Sequence, residues 1–215
     1  MKNKNILIIE TSLARIMVSI IKKKNVYIRS TSSQRSIEQD INQILSQLIV
    51  DADLEFNDIG LILVSLGPGS FTGIRIGISV AKAISISTGI KIQGFSNYQS
   101  IFCQFLTAYK KKKFDKINVL IKGPGDEFFK KTFVNNKFER KSYVITLKDL
   151  KEKKLEKNCL YIGNFLNKYN LRNYFFCLPN KFGIQNMLTN KSYDFKKSFS
   201  RNLSPLYVKE HYAKK

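Results

Sequence analysis

The segment Gly67-Pro-Gly-Ser-Phe-Thr-Gly-Ile-Arg-Ile-Gly77 constrains the chain most tightly. It follows the apolar run Ile59–Val64, which reads as a strand buried on both faces, and it opens a helix expected over 70–87. Two glycines flanking Pro68 make a tight turn, and Ser70 or Thr72 can cap the helix that follows. A glycine-rich turn at a helix start is also how phosphates are cradled, because its N–H groups and the dipole favour anions. The Gly-Lys-Ser/Thr ending of a Walker loop is absent, so either a structural turn or a residual phosphate site fits Gly67, Gly69 and Thr72. Inside the helix, Gly73, Gly77 and Ala81 recur at i, i+4 and i+8. Each helical glycine costs up to ~1 kcal/mol relative to alanine, so another backbone must approach this stripe closely. That backbone can belong to the chain's own sheet or to a second protein, and periodicity does not separate the two. Arg75 lies near the helix start, where a positive charge opposes the dipole and calls for a carboxylate, carbonyl or phosphate partner.

The rest of the first half reads as an α/β layer. Ile6–Ile9, Ile16–Ile21 and Val26–Thr31 are strand candidates. Ile37, Ile41, Ile44, Leu45 and Leu48 form one helical stripe, with Ser36 and Gln39 as its capping box. A strand near Lys91–Phe95 and a helix near Asn97–Tyr109 complete the order βββαβαβα. The run Lys110–Lys113 reads as a solvated boundary between a first lobe, 1–109, and a smaller lysine-rich lobe, 110–215. In the second lobe Ile117–Ile121, Glu127–Val134, Lys137–Thr146 and Cys159–Ile162 are expected strands, with a short helix near Leu147–Leu155. Residues 164–201 carry no clear periodicity.

Composition excludes several classes. No apolar run approaches the ~20 residues of a membrane helix, and the four apolar residues before Glu10 are too few for a signal-peptide core. Three scattered cysteines support neither a disulfide framework nor a zinc ribbon, which fits a cytoplasmic protein. His211, the only histidine, lies in the tail and leaves little for a triad or a histidine metal site. The net charge of +21 comes from 30 lysines and 7 arginines against 16 acids. Residues 107–215 carry +17 of it, so any RNA-facing surface belongs to the second half; A/T-rich codon usage explains the same excess of lysine. Lys122-Gly-Pro-Gly-Asp-Glu127 reads as a strand-to-strand turn or as an anion nest.

Leu66–Gly77 closely resembles the signature of the TsaB (YeaZ) family. The resemblance takes in Ile6-Leu-Ile-Ile-Glu-Thr-Ser12 and returns at Ser204-Pro-Leu-Tyr-Val-Lys209. It implies an actin-like, sugar-kinase-like (RNase H-like) α/β fold of two lobes with the second reduced. It also implies a non-catalytic subunit in threonylcarbamoyladenosine synthesis on tRNA, with no cofactor or metal of its own. The expected partners are a TsaD-like transferase, a TsaE-like ATPase and, through the complex, tRNA; a homodimer is open for the chain alone, and no membrane is involved. The partner interface is expected at Ser70, Gly73, Ile74, Gly77 and Ala81, with Ile41 and Leu45 on the preceding helix. Glu10, Thr11, Gly67, Gly69, Thr72 and Arg75 are left as the structural turn or residual phosphate site. An ATPase of this fold needs carboxylates at two strand–turn sites. Here the family's usual Asp-Thr is Glu10-Thr11 and the second acid is replaced by Lys122, which argues against autonomous hydrolysis. The rival readings are an ATPase or phosphotransferase using Glu10 and the Gly67–Gly73 turn, and an RNA-binding protein using the lysine-rich half.

Overall fold

The computed structural model describes residues 5–13, 15–32, 37–109, 115–135, 137–152, 159–167, 169–190, 193 and 195–208. Ser36, the Lys110–Lys113 run, Lys209 and His211 lie outside these residues. Among the described residues, eleven strands and five α-helices follow one another. The first half runs β1 (Asn5–Glu10), β2 (Ile16–Lys22), β3 (Asn25–Thr31), α1 (Ile37–Asp51), β4 (Ile59–Ser65), α2 (Phe71–Thr88), β5 (Lys91–Phe95) and α3 (Asn97–Ala108). Every element of the expected βββαβαβα order is present.

Contacts divide the chain into one unit of residues 1–96 and 196–205 and a second of 97–195 and 206–215. The division falls before α3 rather than at the lysine run, because α3 packs on elements of the second unit. In the first unit the sheet order is β3-β2-β1-β4-β5. β1, β2 and β3 form an antiparallel meander, and β1, β4 and β5 run parallel. Leu7, Ile9, Ile16, Val18, Ile20, Ile62 and Val64 line one face of this sheet and pack with the inner faces of α1 and α2. Residues 196–205 close its far edge: Gly94 and Ser200 exchange both backbone hydrogen bonds, each at 2.8 Å.

The second unit contains β6 (Lys116–Lys122), β7 (Glu127–Val134), β8 (Lys137–Phe138), β9 (Tyr143–Thr146), α4 (Leu147–Glu152), β10 (Cys159–Gly163), β11 (Tyr174–Phe176) and α5 (Lys181–Thr189). Its sheet order is β11-β10-β6-β7, with β8 and β9 both paired to β7. The winding repeats that of the first unit: a central first strand, an antiparallel hairpin on one side, two parallel strands on the other. This doubled α/β topology is the actin-like arrangement implied by the signature. The crossover from β10 to β11 contains no helix among its described residues, so the second unit has no counterpart of α2 there.

Two expectations change. The single strand over Lys137–Thr146 is two strands, because the pairing with β7 lapses after Glu139, whose N–H donates to Thr132 O at 2.9 Å, and resumes at Tyr143. The stretch without periodicity holds β11 and α5, the latter capped by Asn180 Oδ1, which accepts from Phe182 N at 2.9 Å. Among the described residues no helix is long and apolar enough to cross a membrane.

Candidate functional site

The glycine segment joins the C-terminal ends of β1 and β4 to the start of α2. Ser70, not Thr72, is the N-cap: its hydroxyl accepts from Gly73 N at 3.2 Å. Ser70 N donates to Ser12 O at 2.9 Å, which clamps the loop onto the residues after β1. A Cβ on Gly69 would strike Ser12 O, and one on Gly73 would strike Thr11 O. A Cβ on Gly77 would lie 2.5 Å from Thr11 Oγ1, whose hydroxyl donates to Gly73 O at 2.6 Å. Gly67, at φ +91, supplies the left-handed backbone that carries the chain from β4 into the turn.

The stripe is therefore the chain's own packing surface. Gly73, Ile74, Gly77 and Ala81 are buried, as are Ile41 and Leu45 on α1. Six of the seven residues expected at a partner interface face this core, and only Ser70 is exposed. The physical reason is the backbone of Thr11 and Ser12, which fills the space the glycines leave. The same contacts set Ser12 and Thr11 directly against Gly69 and Gly73, as a tightly packed turn requires. Thr72 is exposed, and Arg75, also exposed, lays its guanidinium 3.8 Å above the Phe71 ring.

Glu10 ends β1 and is completely buried. Its Oε1 accepts from Ser12 N at 2.6 Å and from Ser12 Oγ at 2.8 Å, while Oε2 has no hydrogen-bond partner. Ser12 Oγ lies 3.5 Å from Ser65 Oγ, which in turn accepts from Gly67 N at 3.1 Å. Burial pushes the Glu10 carboxyl above its ordinary range, opposed by the Ser12 hydrogen bonds and by nearby Arg15. A hard divalent cation needs an accessible carboxylate, and Glu10 is completely buried. At the end of β6, the topological counterpart of β1, Lys122 Nζ donates to Gly123 O at 3.0 Å and to Gly125 O. Gly123 N donates to Glu127 O at 2.9 Å, so this segment is the hairpin turn between β6 and β7. Buried Glu10 thus does not fit a magnesium ligand, and Lys122 brings no carboxylate to the corresponding strand end.

The three cysteines are buried, and desolvation raises the thiols of Cys103 and Cys177, the latter to about 12. Among the described residues no group of three His, Cys, Asp or Glu side chains could hold a metal. Sequence reasoning overlooked Ser12 and Ser65 as the links between β1, β4 and the loop. The available signal was a small polar residue closing or following each of two buried apolar runs.

The family model described as TsaD, tRNA N6-adenosine threonylcarbamoyltransferase, matches residues 25–138, more than half of the chain. The tRNA threonylcarbamoyladenosine biosynthesis protein TsaB of Buchnera aphidicola subsp. Schizaphis graminum is 29% identical over 175 residues, 78% of this chain and 82% of that protein. TsaB of Buchnera aphidicola subsp. Baizongia pistaciae is 23% identical over 96% of this chain and 99% of its own. The chain belongs to the TsaB/YeaZ family. YeaZ from Pseudomonas aeruginosa has the same fold, with a TM-score of 0.71 at 13% identity over 95% of this chain and 99% of that one. In this TsaB-family chain the signature glycines serve the joint between α2 and β1, and the strand-end acid is enclosed within it.

Proposed function

We propose that this chain is a non-catalytic subunit in tRNA threonylcarbamoyladenosine synthesis. It docks on a TsaD-like transferase that modifies the adenosine beside the anticodon in tRNAs reading codons that begin with A. A TsaE-like ATPase joins the assembly, tRNA is reached through the complex, and the setting is cytoplasmic. The observation that carries this reading is the closed joint: Thr11 and Ser12 fill the loop, and Glu10 is held inside by Ser12. A chain of this family whose strand-end acid is enclosed contributes a surface rather than bond chemistry.

That surface is the outward side of α2 and α1. Ile76, Val80 and Ile84 recur at i, i+4 and i+8, half-buried against the core, with Ala83 and Ile86 exposed beside them. Ile86 is 86% exposed and Val50, at the end of α1, 76%. The direct test is co-expression with the host's TsaD homologue, followed by light scattering and reconstituted tRNA threonylcarbamoylation. A one-to-one complex required for activity is expected. Ala83→Glu should weaken that complex by about tenfold or more with the fold intact. Mg-ATP calorimetry checks the enzyme alternative: nucleotide binding that disappears in Glu10→Ala would return the chain to autonomous phosphoryl chemistry.

A further inference from the structure

In the second unit, Lys131 stands where the fold calls for an apolar side chain. Alternate residues of a strand share a face, so Phe129, Lys131 and Phe133 form one row on β7. That row meets α3. The ring centroids of Phe133 and Phe102 are 4.1 Å apart, and Lys131 Nζ lies 5.6 Å from the centroid of the Tyr98 ring. Across the ladder on β6 the neighbours are Ile117, Val119 and Ile121, all buried, with Val119 directly opposite Lys131. Lysine is seldom enclosed in this way without a partner for its charge. Here the partner is missing: among the described residues no carboxylate lies within ion-pair distance of Lys131. β6 offers this face no titratable side chain, and Glu127, the acid on the same face of β7, is four residues away. Tyr98 is 2% exposed, and burial holds its phenol protonated, so α3 supplies no anion there. Between β8 and β9, Glu139, Arg140 and Lys141 are exposed. Desolvation accordingly lowers the Lys131 amine below its ordinary 10.5. The Tyr98 ring face favours the ammonium, but near the outer limit of such contacts it returns less than water would.

We propose that Lys131 is a covalent acylation site whose amine takes the acyl group of small acyl phosphates. The neutral amine adds to the carbonyl carbon of the donor. A C–N bond forms, the C–O bond to phosphorus-bound oxygen breaks, and inorganic phosphate leaves with the bonding electrons. The proton lost from nitrogen passes to the departing phosphate or to water. An unpaired, desolvated amine needs no separate base for this, because more of it is neutral near pH 7 than of an exposed lysine. Lys131 is half-buried, so a compact acyl group reaches it and a bulky one is kept out. The donor's charge also suits the place. Arg140 and Lys141 lie in the stretch that passes Lys131, between Glu139, which bonds to Thr132, and Tyr143, which pairs with Lys130. Their positive field draws an anionic donor to this edge. The product is a neutral amide, which removes the one charge from the Phe129–Phe133 row.

The inference stands apart from docking on the transferase, which uses the outer helix faces of the first unit. The full chain is treated with acetyl phosphate at pH 7.5, and acetylated lysines are timed by peptide mass spectrometry. Lys131 should be labelled at least about fivefold faster than Lys82 and Lys91, which are exposed on the first unit. That lead should narrow as the pH rises past 10.5, where ordinary lysine amines are neutral as well. It should vanish in guanidinium chloride, which abolishes the burial that creates it. A second arm uses Lys131→Met, which keeps a long apolar stem and drops the charge. Its thermal midpoint should rise by about 2 °C or more. Labelling at 131 no faster than at 82 and 91, a lead that survives in guanidinium chloride, or a midpoint that fails to rise in Lys131→Met overturns the proposal.

Discussion

At the scale of single residues, the glycines of α2 and the buried Glu10 solve one problem, which is how closely a helix can approach the end of a strand. Gly73 lies against the Thr11 carbonyl, so any side chain there must displace backbone rather than a movable rotamer. Gly73→Val is expected to destabilise the chain by about 3 kcal/mol or more, seen as a lower denaturant midpoint. Loss of partner binding in that variant would report unfolding and not a lost contact. Glu10 gives a pH signature of definite sign. Its folded-state carboxyl titrates above the ordinary 4.5, so the folded chain holds the proton more tightly than the unfolded one. The associated stability is complete below the unfolded value and falls as pH rises from there through the folded value. Glu10→Gln, which cannot ionise, should flatten that fall in unfolding free energy measured against pH.

At the scale of elements, caps and edges carry the consequences. Asn180 caps α5 through its Oδ1, which accepts from Phe182 N at 2.9 Å, so Asn180→Ala should cost about 1 kcal/mol, measured by thermal unfolding. The β5 edge depends on Ser200, whose N–H donates to Gly94 O. Ser200→Pro removes that donor and should lower stability by about 1 kcal/mol, with faster amide exchange at Gly94 as the local readout. The elements differed in how legible they were. β1, β4 and α1 announced themselves because burial on both faces or on one helical stripe leaves a plain pattern. α5 did not: Gly183, Ile184, Met187 and Leu188 are its buried residues, and Lys, Phe and Asn around them blur so short a stripe. The interruption at 139–142 was equally hidden, since nothing in Glu-Arg-Lys-Ser names the residue at which a strand leaves its partner.

At the scale of the whole molecule, two units repeat one topology, and among the described residues the second has no helix where the first carries the signature. Helix α2, with its glycine face and outward apolar stripe, is therefore the segment to probe for assembly. The Ala83→Glu variant tests that face. Thermal unfolding followed separately by probes in each unit should show Gly73→Val acting first on the unit formed by residues 1–96 and 196–205. Coincident loss of both units would mean that they unfold as one cooperative body.

The sequence by itself determined the α/β class, the order of elements in the first half, the family and the special character of Leu66–Gly77. Those properties follow from local periodicity, turn chemistry and a long specific motif, all of which are readable along the chain. Only the tertiary structure decided what the glycine stripe faces, that Ser70 and not Thr72 caps α2, that Glu10 is enclosed, and that residues 196–205 return to seal β5. A glycine records that something comes close without recording what. The approaching groups are Thr11 and Ser12, about sixty residues away in the chain, and no local pattern encodes a contact of that separation.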